Sequence, residues 1–304
     1  MRIKKPLYLN NKNLISCSLF PLTVITFVIN FLKKFTIRNN YKIKTICVGN
    51  IYMGGTGKTS LCVEINKILK HKYKTVFIKK MYSNQLDERR ILKSHGKLLS
   101  DKDRSISLKK AENKYDLAIL DDGLQDKKIK YNLSIACFNT TYGMGNGYLL
   151  PAGPLRESLS TLRNYSAIFL IGDKKNKKLF SILRTFNNKI FYSNYSVLNI
   201  KKFNMKKKYL FFCGIGNPEE FENTLKKYKF YIADKIIFPD HHNFKDNEIN
   251  DIKKIASQNN LEIITTEKDY KRLSKKNKQN INFLKVELKI KNKNKFSNFI
   301  EDRI

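Results

Sequence analysis

The chain has 304 residues, and its 41% hydrophobic content excludes a disordered polymer and allows one large domain or two smaller ones. Its 60 Lys and Arg against 26 Asp and Glu give a net charge of +34, so the fitting partners are anionic: nucleic acid, lipid headgroups or phosphorylated substrates. Part of that excess is compositional drift, since Lys, Asn and Ile are abundant along the whole chain. Five scattered cysteines without a C-x-x-C spacing argue against a disulfide framework or a zinc site, and fit a reducing cytosol.

Residues 14–32, LISCSLFPLTVITFVINFL, carry no charge, with Lys4, Lys5 and Lys12 before them and Lys33, Lys34 and Arg38 after. The run is borderline for a bilayer span of about 20 residues, and Pro21 and Asn30 weaken it further. An interfacial anchor helix, a single span and a buried core helix are all open, with membrane contact favoured. The basic residues that follow make a poor signal-peptide cleavage site. Residues 41–50 read as a strand ending in Gly-Asn. A glycine loop follows, and then a helix with Leu61, Ile65, Ile68 and Leu69 on one face. Residues 74–80, 115–123, 132–139 and 165–172 read as further strands. Strands alternating with helical stretches indicate an α/β layer fold with a mainly parallel sheet. A second block begins near residue 190. Segments 207–228, 235–257 and 261–273 read as a smaller α/β unit, and 191–200 and 281–290 as two strands joining the halves.

The glycine loop is NIYMGGTGKTS, residues 50–60. Gly54, Gly55, Thr56 and Gly57 are placed to turn backbone N–H groups toward a phosphate at a helix start. Lys58 would reach the outer phosphates, and the Thr59 hydroxyl would bind Mg²⁺. Tyr52 stands where the usual P-loop pattern has its first glycine, a mark against the motif when it is read alone. Asp121 and Asp122 end a buried strand and are placed to support the metal, against the plainer alternative of a solvated acidic turn. Asp87 and Glu88 alone read as an ordinary charged pair. The stiff segment GNGYLLPAGPLRE, 145–157, fixes Arg156 either as a phosphate clamp or within a structural crossover. His241 and His242 in PDHHNF are either a tuned base or exposed turn residues. Glu267, Lys268 and Asp269 read as a helix start.

Together, VGNIYMGGTGKTS, Asp87-Glu88, LDDGLQ, GNGYLLPAGPLRE, GIGNPEEF, FPDHHNF and TEKDYKRL, in that order over about 46–273, resemble the tetraacyldisaccharide 4′-kinase (lipid A 4′-kinase) family. The resemblance implies transfer of the ATP γ-phosphate, with Mg²⁺, to the 4′-hydroxyl of tetraacyldisaccharide 1-phosphate in lipid A biosynthesis. It also implies work at the cytoplasmic face of the bacterial inner membrane. No nucleic acid or obligate protein partner is expected. The family's loop also lacks the first glycine. The implied organisation is a membrane-associating helix over 1–38, a P-loop kinase core over 39–190 and a smaller α/β domain over 191–304 closing the active-site cleft.

Carried over by motif, Gly54, Gly55, Thr56, Gly57, Lys58, Thr59, Ser60 and Gln125 look like the nucleotide site. Thr59, Glu88, Asp121 and Asp122 look like the metal side. Asp87 resembles the general base, paired with His241, and Lys58 and Arg156 complete the catalytic group. Arg104 and Glu157 look like further polar groups of the site. The chain departs from the family's pattern at Lys80-Met81-Tyr82 (usually Arg-Gly-Tyr), in the short segment before Asp87-Glu88, at LDERR (usually Gly-Asp-Glu-Pro), at Asp126 (usually His) and at Asn139 (usually Asp). These departures bear most on how Asp87 is positioned. The rival reading is a basic P-loop NTPase that binds nucleic acid.

Overall fold

The computed structural model describes residues 7–9, 11–82, 86–173, 176–240 and 242–304. Its strands, in chain order, are β1 (Lys44–Gly49), β2 (Thr75–Lys79), β3 (Leu98–Leu99), β4 (Leu117–Asp121), β5 (Leu133–Asn139), β6 (Ala167–Ile171), β7 (Ile190–Val197), β8 (Lys208–Cys213), β9 (Tyr231–Ile237), β10 (Glu262–Thr266), β11 (Ile281–Leu284) and β12 (Val286–Ile290). Eight form one sheet in the order β12-β7-β6-β5-β1-β4-β2-β3, and four form a second in the order β11-β10-β8-β9. The pairs of β1 with β4 and β5, of β2 with β3 and β4, and of β6 with β5 and β7 are parallel. The chain steps from β4 to β5 across the central β1. In open α/β sheets such a switch point opens a crevice at the carboxyl ends of the strands, which is where ligands bind.

The apolar N-terminal run is not one continuous helix. The Asn13 side chain caps α1 (Leu14–Ser18). Pro21, which has no N–H to give an α-helix, sits in a 3-10 turn over Phe20–Leu22, and α2 (Thr23–Leu32) follows. Among the described residues no helix is long and apolar enough to cross a membrane.

The helices after β1 are α3 (Lys58–Leu69), α4 (Leu86–His95), α5 (Arg104–Ala111), α6 (Lys177–Arg184), α7 (Pro218–Lys227), α8 (Asp246–Gln258), α9 (Glu267–Arg272) and α10 (Lys293–Glu301). Among the described residues, one compact unit takes the chain from residue 7 to 194 together with 288–304, and the other takes 195–287. The N-terminal run thus groups with the larger unit rather than standing apart. The last residues also return to it, although 191–304 was expected to form the smaller domain. The cause is apolar packing: Phe296 and Phe299 of α10 lie against Phe169 and Phe191, with ring centroids 4.9–5.0 Å apart. The segment 281–290, expected as one strand, splits between the two sheets as β11 and β12.

In the smaller unit, successive residues of β8 feed opposite faces, as the two-residue period of a strand requires. Tyr209, Phe211 and Cys213 pack with Phe221 and Leu225 of α7, whereas Leu210 and Phe212 pack with Ile249 and Ile252 of α8. This strand, buried on both faces, accounts for the unbroken apolar run YLFFC.

Candidate active site

The loop between β1 and α3 leaves the central strand and enters the helix through Gly57, whose φ of 74° serves as the helix N-cap. Gly54 has a φ of 133°, and a Cβ there would meet nothing within 4 Å, so that side of the loop is open. Tyr52 is 2% exposed and belongs to the core. Its ring lies 5.5 Å from that of Phe138, and its hydroxyl accepts the N–H of Asn139 at 2.8 Å. The residue that replaces the usual glycine therefore bolts the loop to the end of β5. Met53 N–H donates to Pro154 O at 2.8 Å and Arg156 N–H to Ile51 O at 2.7 Å, which binds the segment 145–157 to the same loop.

These bonds bring Arg156 to the phosphate loop. One of its terminal nitrogens (Nη2) lies 3.0 Å from Asn50 O and 3.2 Å from Asp122 Oδ1, and it also contacts Asn50 Oδ1. Gln125 Nε2 donates to the same Asn50 carbonyl at 2.8 Å. Lys58 Nζ approaches Asp122 Oδ1 at 3.6 Å. Burial works to raise the Asp122 pKa, but the Lys58 and Arg156 charges outweigh it and hold the carboxyl at about 2. Asp122 has a φ of 59°, the left-handed region, and its N–H donates to Val48 O at 2.8 Å. That conformation turns its side chain away from the direction of Asp121. Arg104, the first residue of α5, donates to the Asp122 carbonyl at 2.6 Å.

Asp121 faces the other way and is fully buried. Its Oδ2 accepts from Thr59 Oγ1 at 2.9 Å and from Lys79 Nζ at 2.7 Å. Lys79 also pairs with Glu88 Oε2 at 2.5 Å. Burial pushes the Lys79 ammonium down, but the Asp121 and Glu88 carboxylates outweigh it and hold it above the ordinary lysine range. Buried polar atoms at this end of the sheet, Thr56 Oγ1, Asp121 Oδ1 and Arg156 Nε, have no hydrogen-bond partner among the described residues. Such groups are costly unless something satisfies them. A phosphate fits the hydroxyl and the guanidinium N–H. A hydrated Mg²⁺ fits the Thr59 hydroxyl and the free oxygen of Asp121. Among the described residues no three His, Cys, Asp or Glu side chains form a metal cage, so phosphate oxygens and water would have to complete the coordination.

Glu157 lies apart from this group. It is buried, and its carboxylate is bonded to Lys127 Nζ at 2.9 Å and to the Tyr165 hydroxyl, a packing role. Glu88 and Asp87 open α4, with Glu88 turned to Lys79. His241 lies outside the described residues. His242 is stacked on Phe238 at 4.8 Å and bonded to Glu248 at 2.9 Å, so it serves its own unit. In TEKDYKRL, Thr266 caps α9, and Asp269 is buried on Thr266, Gly214 N–H and Arg272, a structural arrangement.

Sequence reasoning missed Asn50 and Lys79. The signal for Lys79 was its register: it ends the strand beside the one ending in Asp121, and the two residues are paired.

The sequence matches the tetraacyldisaccharide-1-P 4′-kinase family over residues 15–304. A tetraacyldisaccharide 4′-kinase of Pelagibacter ubique is 41% identical over 98% of this chain and 97% of its own length. One from Rickettsia canadensis is 31% identical over 97% and 95%. The crystal structure of LpxK from Aquifex aeolicus in complex with ATP superposes with a TM-score of 0.72 at 23% identity, covering 95% of this chain and 99% of that one, which establishes the same P-loop fold. With the match spanning nearly every residue and the loop, the Asp pair and the Arg-Glu segment in place, the chain belongs to the tetraacyldisaccharide-1-phosphate 4′-kinase family.

Proposed function

We propose that this protein transfers the γ-phosphate of ATP to the 4′-hydroxyl of tetraacyldisaccharide 1-phosphate, at the cytoplasmic face of the bacterial inner membrane. One observation carries the lipid part of this reading. Asn30 of the apolar helix α2 donates from Nδ2 to the carbonyl of Arg156 at 2.7 Å, which ties the membrane-seeking segment to the phosphate-facing arginine. The same segment leaves Leu14, Ile25, Phe27, Phe31 and Phe35 exposed, apolar surface that favours an acyl-lipid environment over water. A nucleic-acid NTPase has no use for such a surface.

Phosphoryl transfer needs positioning and charge stabilisation more than covalent chemistry. The N–H groups of Gly54, Gly55, Thr56, Gly57 and Ser60 line the loop and the helix start for the phosphates, with Gln125 holding the Asn50 carbonyl beside them. Lys58 and Arg156, which rest on Asp122, are the cations that move onto the transferring phosphoryl group. Thr59 and Asp121 hold Mg²⁺, which when bound neutralises charge on the phosphate oxygens. Glu88 and Asp122 orient the cations next to it. Asp87 accepts the proton of the sugar hydroxyl, with His241 as its partner.

The test is transfer of labelled γ-phosphate to tetraacyldisaccharide 1-phosphate in detergent. Product with wild type, and none with Lys58→Ala, supports the reading. Absence of product, together with salt-dependent RNA binding and RNA-stimulated ATP hydrolysis, would favour the nucleic-acid NTPase.

A further inference from the structure

Lys79 is the least expected residue near the phosphate loop. Its side chain is 2% exposed, between Asp121, which is fully buried, and Glu88. A buried ion pair is poor evidence for stability, because taking charges out of water offsets most of their attraction. What this one achieves is geometric. A single Nζ lies 2.7 Å from Asp121 Oδ2 and 2.5 Å from Glu88 Oε2. Two carboxylate oxygens converging on one cation is the arrangement that a divalent ion bridging Glu88 and Asp121 would need. The same Asp121 oxygen accepts from Thr59 Oγ1 at 2.9 Å, so the ammonium fixes the carboxylate against the phosphate-loop threonine. Through Glu88 it also fixes the first turn of α4, which carries Asp87. The remaining Asp121 oxygen, Oδ1, is buried and has no partner among the described residues, so it is the one left for a metal's hydration shell.

We propose that Lys79 is a positioning residue, a resident cation that occupies the place of a divalent ion between Glu88 and Asp121, holds Asp87 at the phosphate loop and restricts Mg²⁺ to the Thr59 side. The catalytic half of this inference rests on the kinase reading above, whereas the cation half does not. In a chain that departs from the family's pattern at Lys80-Met81-Tyr82 and at LDERR, Lys79 supplies a tether from β2 to the first turn of α4.

The test compares wild type with Lys79→Met, of similar length and without charge. Mn²⁺ binding is counted by electron paramagnetic resonance without nucleotide, and kinase kinetics are followed over a range of Mg²⁺ and Mn²⁺. The expected result is about one more Mn²⁺ bound per chain than in wild type, and its loss when Glu88→Gln is added. At low metal, kcat should fall about 10–100-fold, the scale seen when groups supporting a metal site are removed. The KM for ATP should stay near wild type, and added divalent metal should restore kcat. A structural lesion would not be rescued by metal. An unchanged Mn²⁺ count would overturn the inference, and so would a kcat loss that metal does not reverse. Because the Mn²⁺ count needs no lipid, it decides the cation half even if wild type makes no product. If Lys79→Met does not fold, Glu88→Gln alone decides. It keeps the Lys79–Asp121 pair, so a lowered kcat with unchanged ATP KM supports the tether, and wild-type kcat refutes it.

Discussion

Replacing Tyr52 by Gly would bring the loop closer to the usual P-loop pattern, yet it should damage the protein. Tyr52→Phe removes only the hydroxyl that accepts from Asn139 N–H. For a buried donor such a loss costs about 1–3 kcal/mol. Tyr52→Gly also removes a ring that is 2% exposed and packed on Phe138. Emptying an aromatic site costs about 3–5 kcal/mol. Because the two losses overlap, the expected total is about 4–6 kcal/mol, a large share of the roughly 5–15 kcal/mol that holds a domain together. The assay is urea unfolding followed by far-UV circular dichroism, since the chain has no Trp, with ATP affinity measured by calorimetry. Tyr52→Phe should bind ATP like wild type, unfold at lower urea and show faster hydrogen exchange at the Asn139 amide. Tyr52→Gly should lose both stability and ATP binding. A Tyr52→Gly protein that unfolds at the wild-type midpoint and binds ATP normally would refute the reasoning.

Other perturbations separate structure from chemistry. Glu157→Gln weakens a buried contact with Lys127 and Tyr165, and should lower stability by about 1–3 kcal/mol in urea while leaving ATP affinity unchanged. Asp87→Ala should lower kcat by about 10²–10⁴, the range for a lost general base, with ATP affinity unchanged in the same calorimetry. In the smaller unit, burial pushes the Glu248 carboxyl up, but the Lys245 N–H and His242 outweigh it and hold it below the usual range. Its contribution to stability is therefore present above the unfolded value of about 4.3 and is lost as pH falls through the lower folded value. A ¹³C titration of Glu248 should show the low midpoint, and His242→Ala should raise it.

Much of the larger unit was legible because strand periodicity, the glycine loop and the helix face at Leu61, Ile65 and Leu69 are local signals. The carboxyl-end placement of Asp121 and Asp122 was equally readable, since a buried strand ending in aspartates beside a phosphate loop has few other uses. The opposite facing of the two aspartates was not readable. It depends on the left-handed backbone of Asp122 and on Lys79, which reaches Asp121 from a neighbouring strand. Arg104 lies in none of the quoted motifs, yet it meets the Asp122 carbonyl, because the fold brings the start of α5 to that point. Glu157 shares a motif with Arg156 but points to Lys127 and Tyr165, because the backbone bends through this pair rather than continuing as a strand. The break at Pro21 was visible as a residue. That the run would group with the larger unit was not, because contacts such as Asn30 to Arg156 join positions far apart in the chain.

The most direct measurement is the position of the new phosphate on the product. Wild-type protein is incubated with ATP, Mg²⁺ and tetraacyldisaccharide 1-phosphate in detergent, and the lipid is examined by ³¹P and ¹H–³¹P correlation NMR. The account predicts a second phosphomonoester coupled to the proton at the 4′ carbon, and none with Lys58→Ala. A lipid that remains a monophosphate, or a phosphate at any other hydroxyl, would contradict it.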